Sequence, residues 1–364
     1  MVVRCFATGA PGVLAAQPVS SKKVLLCGYY GEHNLGDDAL LDVLLGQLPD
    51  GCLPVVTAHD QALVQARFAV ETTDRRRLGA VLAALGHCEA LVLGGGSLLQ
   101  DATSFRSLLY YGALMLAART RGKPVILWGQ GLGPLRRHRS RVLVRGLLPL
   151  ATAISWRDAA SAGLARAWGV EAPVGSDPVW ALPAQSWNGP GGPIVLCFRP
   201  VHQLSGAAWV PYLQALERVA VAAEREVLWL PFHQDQDRGL LASLTQEGLV
   251  GPALAGRSRE LAVQTPEEAM GVFRQAALVL SMRLHGLILA ALAGSPCAAL
   301  SYDPKVAAAA AGIGCPCQDL EAAPAGTLEA TWAAVLDTPP DAAGIAALQR
   351  DSQVHRGVLA ALRA

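Results

Sequence analysis

Residues 23–48, KVLLCGYYGEHNLGDDALLDVLLGQL, already contain one complete strand–turn–helix unit. An apolar run typical of a buried strand leads into a turn with three glycines, and a helix-length segment follows at 37–48. Units of this kind build parallel sheets that are covered by helices on both faces. The stretch therefore predicts an α/β protein, provided that the unit repeats along the chain.

The unit does repeat, with one interruption. Further apolar runs between residues 53 and 176 look like buried strands, namely LPVVTA, ALVLGG, PVILWG, TAISW and APVGS. Helices are predicted between them at 76–86, 104–121 and 158–168. The alternation stops at PAQSWNGPGGP, residues 183–193, and then restarts, which is typical of a boundary between two domains. We predict two doubly wound domains whose strand ends face a shared cleft.

These patterns divide the 364 residues into five predicted parts. One domain is expected at 21–182 and a second at 194–325, because a chain of this length exceeds one ordinary core. Residues 183–193 would link them. Residues 1–20 are expected to be a disordered extension, and the Ala- and Leu-rich segment 326–364 is expected to form helices that pack back on the body.

The composition excludes several classes of protein. Hydrophobic residues make up 52% and charged residues 16% of the chain, and the formal net charge is +1, so no nucleic-acid partner is expected. Apolar runs stay below the roughly 18 to 20 residues that span a bilayer, and we expect neither a transmembrane helix nor a basic amphipathic anchor. The eight cysteines are scattered, which suits a cytosolic, reducing compartment. Cys315 and Cys317 lack the partners of a zinc site, so no metal is expected.

Three predicted strands end in turns that would bring backbone amides and polar side chains to the cleft. Their spacing differs from G-x-G-x-x-G, which argues against a nicotinamide cofactor. One glycine turn can result from packing alone, but three such turns at strand ends favour a bound ligand. The turns supply the predicted cleft rim: Gly31, Asn34, Asp37, Gly95, Gly96 and Gln130.

Basic side chains follow other strand ends. Arg157 lies in SWRD, Arg199 lies in CFRP, and SMRLH contributes Arg283 and His285. Guanidinium groups are the preferred partners of carboxylates and phosphates, so the pattern predicts a small ligand that carries both groups. The alternative is structural: Arg157 would pair with Asp158, Arg199 would pair with a local carboxylate, and His285 would be a core histidine.

A further loop, PFHQDQD at 231–237, also follows a strand. His233 is a secondary candidate for the cleft rim. Asp235 and Asp237 could hold a cation together with it, but acidic residues are equally typical of a solvated helix N-terminus, which is the interpretation we prefer. No metal site is therefore assigned to this loop.

Six motifs follow one another in order from about residue 24 to about residue 305: GYYGEHNLGDDAL, LGGGSLLQD, LWGQGLGPL, SWRD, SMRLHGLILA and SYDPKV. Together they resemble the polysaccharide pyruvyl transferase family, and most of all its bacterial CsaB-type branch. The resemblance implies a GT-B-like fold of two Rossmann-like domains that face a cleft. It also implies an enzyme that transfers the pyruvyl group of phosphoenolpyruvate onto two hydroxyls of a sugar in a cell-surface polysaccharide precursor, forming a pyruvate ketal and releasing phosphate.

The resemblance assigns roles to individual residues. Arg283, Leu284 and His285 match the donor-binding Arg-Leu-His of the family, and Arg157 matches the arginine of its S-x-R-D stretch. Arg157 and Arg283 would clamp the donor, while His285 would transfer protons or stabilise the leaving phosphate, so these three are the expected catalytic residues. Arg199 joins them in the expected donor-binding set.

The resemblance also implies where the substrates bind and who the partners are. The acceptor would bind on the N-terminal domain and the donor on the C-terminal domain. Phosphoenolpyruvate is expected as co-substrate, without a cofactor, and a saccharide, lipid-linked or free, is expected as acceptor. We expect a cytoplasmic enzyme with at most peripheral contact to the inner membrane face, and homo-oligomerisation stays open. Asp38 departs from the glutamate that the family pattern has after Gly36 and Asp37, so its role is unassigned.

Two other functions are compatible with the sequence. A GT-B glycosyltransferase with a nucleotide-sugar donor would also use glycine turns and basic residues, in that case for a diphosphate. The other is a non-catalytic carbohydrate-binding protein on a decayed transferase scaffold, although intact Arg157, Arg283 and His285 argue against decay.

Overall fold

The computed structural model of the protein describes residues 21–102, 104–322 and 326–363. The predicted disordered extension at 1–20 lies outside these residues. Within them the chain forms two sheets, and every strand pairing in both sheets is parallel. The prediction of an α/β protein with two doubly wound sheets is confirmed.

The first sheet has seven strands. They run in the order β3-β2-β1-β4-β6, and β5 and β7 both pair with β6. The order reverses between β1 and β4, which is the point where ligands of such sheets usually bind. The bounds are β1 Lys22–Tyr30, β2 Cys52–Ala58, β3 Glu71–Asp74, β4 Ala90–Leu93, β5 Gly96–Leu99, β6 Val125–Leu132 and β7 Ala153–Trp156.

The second sheet has six strands in the order β10-β9-β8-β11-β12-β13, with the same reversal between β8 and β11. Strands β11 and β12 therefore end beside the cleft. The bounds are β8 Ile194–Cys197, β9 Val227–Trp229, β10 Ser258–Glu260, β11 Leu278–Ser281, β12 Cys297–Ser301 and β13 Cys317–Asp319.

Helices cover both faces of each sheet, so the strands between them are buried on both sides. All eight residues of β6 are buried, for example. In the described residues the helices are α1 Leu35–Gln47, α2 Gln61–Phe68, α3 Leu78–His87, α4 Phe105–Thr120, α5 His138–Leu147, α6 Ala159–Arg166, α7 Val210–Ala222, α8 Gln234–Asp237, α9 Leu240–Gln246, α10 Pro252–Ala255, α11 Pro266–Phe273, α12 Leu284–Leu292, α13 Pro304–Gly312, α14 Leu328–Val335, α15 Ala342–Ser352 and α16 Val354–Val358.

Several local predictions are wrong. The segment APVGS forms no strand, since only Val174 bridges to Trp156. Strand β5, which contains Ser97, is not anticipated by the patterns above. Helix α5 and strand β3 are not anticipated by the patterns above, because α5 is rich in arginine and the polar strand β3 contains no apolar run.

The two domains touch directly at the cleft. One apolar core contains residues of α1, such as Leu40, together with residues of the second domain, such as Leu230. The backbone N–H of Leu35 donates to the carbonyl of Phe232 at 3.1 Å, and the N–H of Gln234 donates to the carbonyl of His33 at 2.9 Å. We call this pairing of residues 33–35 with residues 232–234 the backbone clasp.

The segment between the domains lies on the second one. Its Gln185 N–H donates to the carbonyl of Leu292 at 2.7 Å, and the Trp187 indole donates to the carbonyl of Ala276 at 2.8 Å. The C-terminal helices divide between the domains: α14 packs on α7, whereas α15 and α16 return to the first domain, where α16 contacts β6 and β7. None of the described helices is long and apolar enough to cross a membrane.

Candidate active site

A cavity of about 190 Å³ lies between the two domains at the carboxyl ends of their strands. Strands β5 and β7 bring residues to it from the first domain, and the turns after β11 and β12 bring residues from the second. The charged and polar side chains that line it are Asn34, Ser97, Arg157, Arg283, His285, Tyr302, Asp303 and Lys305. We call it the donor cavity, after the donor that the family resemblance leads us to expect there. A neighbouring cavity of about 220 Å³ shares Arg157, Leu284 and Lys305 with it.

Arg157 enters the donor cavity because strand β7 ends one residue before it. Its Nη1 donates to Oδ2 of Asp177 at 2.9 Å, and its Nη2 donates to Oγ of Ser97 at 3.1 Å. Asp158 stands farther away, with 4.0 Å between its Oδ2 and Nε of Arg157, and its other oxygen caps α6. The main partner of Arg157 is therefore Asp177, and the pairing with Asp158 that the structural alternative required is secondary.

Arg283 is held by a buried carboxylate. Its Nε donates to Oδ2 of Asp237 at 3.0 Å, and its Nη2 donates to Oδ1 of the same residue. The side chain of Asp237 has no exposed surface, and its Oδ2 also accepts the backbone N–H groups of Phe232 and His233. The interpretation of Asp237 as part of a solvated helix N-terminus is wrong. Nη1 of Arg283 donates to none of the described residues.

His285 stands in the first turn of α12 and reaches across to the first domain. Its Nε2 lies 3.4 Å from Oδ2 of Asp177. Burial alone would raise the pKa of Asp177, but the charge of a protonated His285 and then the charge of Arg157 hold that pKa well below its usual value. The other edge of the ring lies against Gly36, where an added Cβ would stand 2.8 Å from Cγ of His285. His285 is thus a cavity residue rather than a core histidine.

Lys305 is a site residue that the sequence analysis did not single out. It follows the N-cap Asp303 of α13, and its Nζ donates to Oγ of Ser97 in the other domain at 2.7 Å. Burial, together with the positive charge of Arg157, lowers the pKa of Lys305 to about 8, while Asp303 opposes the shift. The available signal was the motif SYDPKV, whose lysine is the only cation in it.

Arg199 does not reach the donor cavity. Its Nη1 donates to the hydroxyl of Tyr302 at 3.0 Å, and its Nη2 donates to Oε1 of Gln236 at 3.1 Å. Nη2 of Arg283 donates to the same Gln236 oxygen at 3.2 Å. Arg199 therefore holds Tyr302 directly and is linked to Arg283 through Gln236. It is not among the residues that line the cavity.

Asn34 and Asp37 lie together at the start of α1. Oδ1 of Asn34 accepts the N–H of Gly36 at 3.1 Å and caps the helix, and its Nδ2 donates to Oδ2 of Asp37. Burial raises the pKa of Asp37 to about 6, opposed first by a protonated His285 and then by Arg75. Asn34 lines the donor cavity, so this helix start forms part of its wall.

The glycines of the predicted cleft rim and Gln130 are involved mainly in packing inside the first domain, and less in forming the surface of the cleft. A Cβ on Gly95 would lie 2.6 Å from Leu40, and one on Gly31, whose φ is +67°, would lie 2.9 Å from the backbone of Asp60. Gly96 also has a positive φ, of +102°. Gln130 has no exposed surface, and its Nε2 donates to the carbonyl of Gly94, so it sits beneath the turn instead of facing the cleft.

His233 belongs to the backbone clasp and is almost fully buried. Neither ring nitrogen has a hydrogen-bond partner among the described residues, and burial followed by the charge of Arg283 lowers its pKa. It lies beside the cavity without lining it. In the described part of the chain, no group of three His, Cys, Asp or Glu side chains is arranged to hold a metal ion.

Solved structures share the arrangement of the two domains. UDP-GlcNAc 2-epimerase from Methanocaldococcus jannaschii is 9% identical, with a TM-score of 0.61 over 94% of this chain and 100% of that chain. A putative UDP-N-acetylglucosamine 2-epimerase from Listeria monocytogenes is 13% identical, with a TM-score of 0.60 over 94% and 96%. Anabaena HepE in complex with UDP-glucose is 14% identical, with a TM-score of 0.55 over 94% and 99%. These likenesses confirm the GT-B-like fold and show the fold alone.

The family is shown by sequence. No curated protein sequence matches the chain. A model of the polysaccharide pyruvyl transferase family, however, matches residues 34–304. That span includes Asn34, Arg157, Arg283 and His285, which the fold brings to one cavity. The CsaB-type branch stays a prediction. Because the match covers most of the chain, the protein belongs to the polysaccharide pyruvyl transferase family.

Proposed function

We propose that the protein transfers the pyruvyl group of phosphoenolpyruvate onto two hydroxyls of a saccharide in a cell-surface polysaccharide precursor, forming a cyclic ketal and releasing phosphate. The observation that carries the proposal is the convergence of Arg157, Arg283, Lys305 and His285 on one cavity. Phosphoenolpyruvate has a carboxylate and a phosphate that carries about −1.5 to −2 charges near pH 7. Three cationic side chains and a histidine can form charge-assisted hydrogen bonds with those two groups.

The steps of the proposed reaction indicate what each of these four side chains does. One acceptor hydroxyl adds to C2 of the enol while C3 takes a proton and becomes a methyl group. The second hydroxyl then forms a bond to C2, and phosphate leaves with the electrons of its C–O bond. Arg157, Arg283 and Lys305 offset the charge of the donor and of the leaving phosphate, and His285 is the group that transfers protons.

The donor is tested by calorimetric titration of phosphoenolpyruvate into the full chain without acceptor. Arg283→Lys keeps a charge beside Asp237 but loses the planar fork, so we expect binding to weaken by roughly one to two orders of magnitude. Arg259→Lys, an exposed arginine in β10, is the matched control and should bind like the wild type. Circular dichroism checks that each variant is folded.

The competing glycosyltransferase function is tested in the same instrument. Titration with UDP-sugars should give no heat of binding if the proposal is right. Binding of a nucleotide sugar in place of phosphoenolpyruvate, with the same sensitivity to Arg283→Lys, would contradict the proposal and favour a glycosyltransferase. A complete assay with a saccharide acceptor should release phosphate in step with consumption of the donor.

A further inference from the structure

The charge of the protein is unevenly distributed along its chain. No Asp or Glu occurs between Asp101 and Asp158, whereas that interval contains nine arginines and one lysine. The whole chain has 30 basic and 29 acidic residues, so the remainder carries an excess of acidic side chains. One of these arginines is Arg157 of the donor cavity, and the others belong to α4, α5 and the segments next to them.

Helix α4 exposes a mixed basic and apolar stripe. Arg106, Leu109, Leu116 and Arg119 are exposed, and Leu109 and Leu116 stand seven residues apart, so they lie on one side of the helix. The opposite side of α4 packs into the core of the first domain. The exposed side chains on the outer side therefore take no part in packing the helix onto the domain.

Helix α5 continues the same surface. Arg139 lies over the ring of Phe105 at the start of α4, and Gly112 of α4 faces Leu147 near the end of α5, so the two helices run side by side in the same direction. Arg139, Val142 and Arg145 are exposed, while Val144 and Leu147 face the same core as α4. The sequence analysis expected no basic amphipathic anchor, and α5 is nonetheless a helix with an arginine-rich outer side and an apolar inner side.

The three most exposed large apolar side chains among the described residues all lie on this surface. Val142 is 58% exposed, Leu116 is 54% exposed and Leu109 is 49% exposed. Within the part of the chain that the structure describes, Arg106, Arg119 and Arg145 form no ion pair with a carboxylate. We call the outer side of α4 and α5, with Arg136 and Arg137 before α5, the basic face.

We propose that the basic face docks on an anionic lipid bilayer. Arginines attract the negative headgroups of such a surface, and apolar side chains standing among them enter the boundary between headgroups and acyl chains. A soluble polyanion such as nucleic acid would use the arginines but would leave Leu109, Leu116 and Val142 in water. The combination of both kinds of side chain on one face favours the bilayer.

The basic face begins close to the donor cavity. Asp101 accepts the backbone N–H groups of Arg136 and Arg137, both at 2.9 Å, and it stands four residues after Ser97. At a strand rise of about 3.3 Å per residue, that is at most roughly 13 Å of chain. A docked protein would thus hold its cleft near the membrane surface, which, if the proposed function is right, suits an acceptor linked to a lipid.

Flotation of the full chain with lipid vesicles tests the docking, and it needs neither donor nor acceptor. The probes are vesicles of phosphatidylcholine alone and vesicles in which phosphatidylglycerol replaces part of it, at low and at high salt. The wild type should float with the anionic vesicles at low salt, much less with the neutral ones, and less as salt rises. The proposed function is tested by phosphoenolpyruvate binding, so the two proposals can fail separately.

Two triple variants and one control divide the contributions. Arg106→Gln with Arg119→Gln and Arg145→Gln should weaken vesicle binding by roughly fivefold per arginine, on the order of a hundredfold in all. Leu109→Ser with Leu116→Ser and Val142→Ser should also weaken it, and these exposed changes should leave thermal unfolding nearly unchanged. The matched control, Arg259→Gln with Arg350→Gln and Arg356→Gln, removes three exposed arginines outside the basic face and should bind like the wild type.

Several outcomes would overturn the proposal. One is that the wild type fails to float with anionic vesicles at low salt. Another is that the control triple loses as much binding as the arginine triple on the basic face. A third is that the serine triple binds vesicles like the wild type while added DNA displaces the vesicles, which would make the basic face a polyanion site. If the arginine triple did not fold, the serine triple and the salt dependence of the wild type would still decide.

Discussion

Gly36 leaves room for the ring of His285 at the start of α1. A Cβ at this position would overlap Nδ1 of His285 and would lie 2.8 Å from its Cγ. Gly36 belongs to the first domain and His285 to the second, so this close approach fixes the ring at the point where the domains meet. The same ring stands 3.4 Å from Asp177 on its other side.

Gly36→Ala should therefore displace His285 without unfolding the helix. A displacement of about 1 Å in a catalytic group can reduce the rate by roughly a hundredfold, and we expect a loss of that order in kcat. Gly46→Ala is the matched control, since Gly46 lies on the same helix with no atom within 4 Å of the added Cβ. Steady-state kinetics measures both variants, and equal activity of the two would show that His285 is not positioned by this contact.

If the proposed function is right, Lys305 should make donor binding depend on pH. Burial and the charge of Arg157 lower its pKa to about 8, so the ammonium that lines the cavity is lost as pH rises through that value. The ratio kcat/KM, which reports the free enzyme, should fall above about pH 8. Lys305→Arg keeps its charge at these pH values, so the descending limb should move to higher pH or disappear. An unchanged limb in the variant would assign it to another group.

The sequence was sufficient for part of this site. Arg157, Arg283 and His285 were predictable because each places a charged or titratable side chain directly after an apolar strand. Ser97, Asp177 and Lys305 were not, because their importance comes from contacts between distant segments. Ser97 and Lys305, for example, are 208 positions apart and meet only when the domains face each other.

At the scale of elements, the backbone clasp joins the turn before α1 to the turn before α8. Its hydrogen bonds use main-chain groups of Leu35 and Gln234, with 3.1 Å and 2.9 Å between donor and acceptor. Most side-chain substitutions leave such bonds intact. Proline is the exception, because it has no N–H to donate.

Gln234→Pro should remove one bond of the clasp with little cost to α8. Gln234 is the first residue of that helix, where proline is favoured, and His233 before it has the extended backbone that a following proline requires. Losing the bond should cost about 1 kcal/mol, which corresponds to a loss of up to roughly fivefold in phosphoenolpyruvate affinity. Gln234→Ala keeps the N–H and is the control. Calorimetry that gave the same affinity for both variants would show that the clasp does not support the site.

The elements also show why sequence patterns succeed unevenly. Apolar runs predicted β1, β4 and β6, since these strands are buried on both faces. The same reasoning missed α5, where arginines alternate with the few residues that reach the core. The apolar glycine turn 94–96 suggested a ligand rim, yet Gly95 mainly accommodates the packing of Leu40.

At the scale of the whole molecule, a cluster of charges joins the two domains away from the cleft. Arg67 of α2 lies 3.4 Å from Asp38 and 3.3 Å from Asp42, both on α1, and 3.0 Å from Glu267 on α11. Asp38, whose role the family pattern left unassigned, therefore serves the contact between the domains. Burial raises its pKa to about 7, although Arg67 opposes the shift.

The contribution of Asp38 to the free energy of unfolding should fall as pH rises from about 4 to about 7. In this range the folded state holds a proton on Asp38 that the unfolded chain, with an ordinary pKa near 3.9, has already released, and one such group contributes a slope of at most about 1.4 kcal/mol per pH unit. Asp42, whose pKa burial raises to about 6, acts in the same direction. Asp38→Asn should make the slope of the free energy of unfolding against pH, measured by urea unfolding, less negative, whereas Asp50→Asn, an exposed change, should leave that slope as it is. A slope that Asp38→Asn leaves unchanged would contradict this account.

The return of α16 to the first domain has a consequence for biosynthesis. His355 lies fully buried there, with its ring nitrogens 2.9 Å from Oγ of Ser155 and 2.7 Å from the carbonyl of Ser176. A ribosome makes the first domain's sheet early, then the whole second sheet, and only afterwards the helix that covers β6 and β7. Domains generally fold in the order of their synthesis. In this protein α16, which packs on β6 and β7 of the first domain, is made only after the second domain. During translation, that uncovered face is where a nascent chain would need a chaperone.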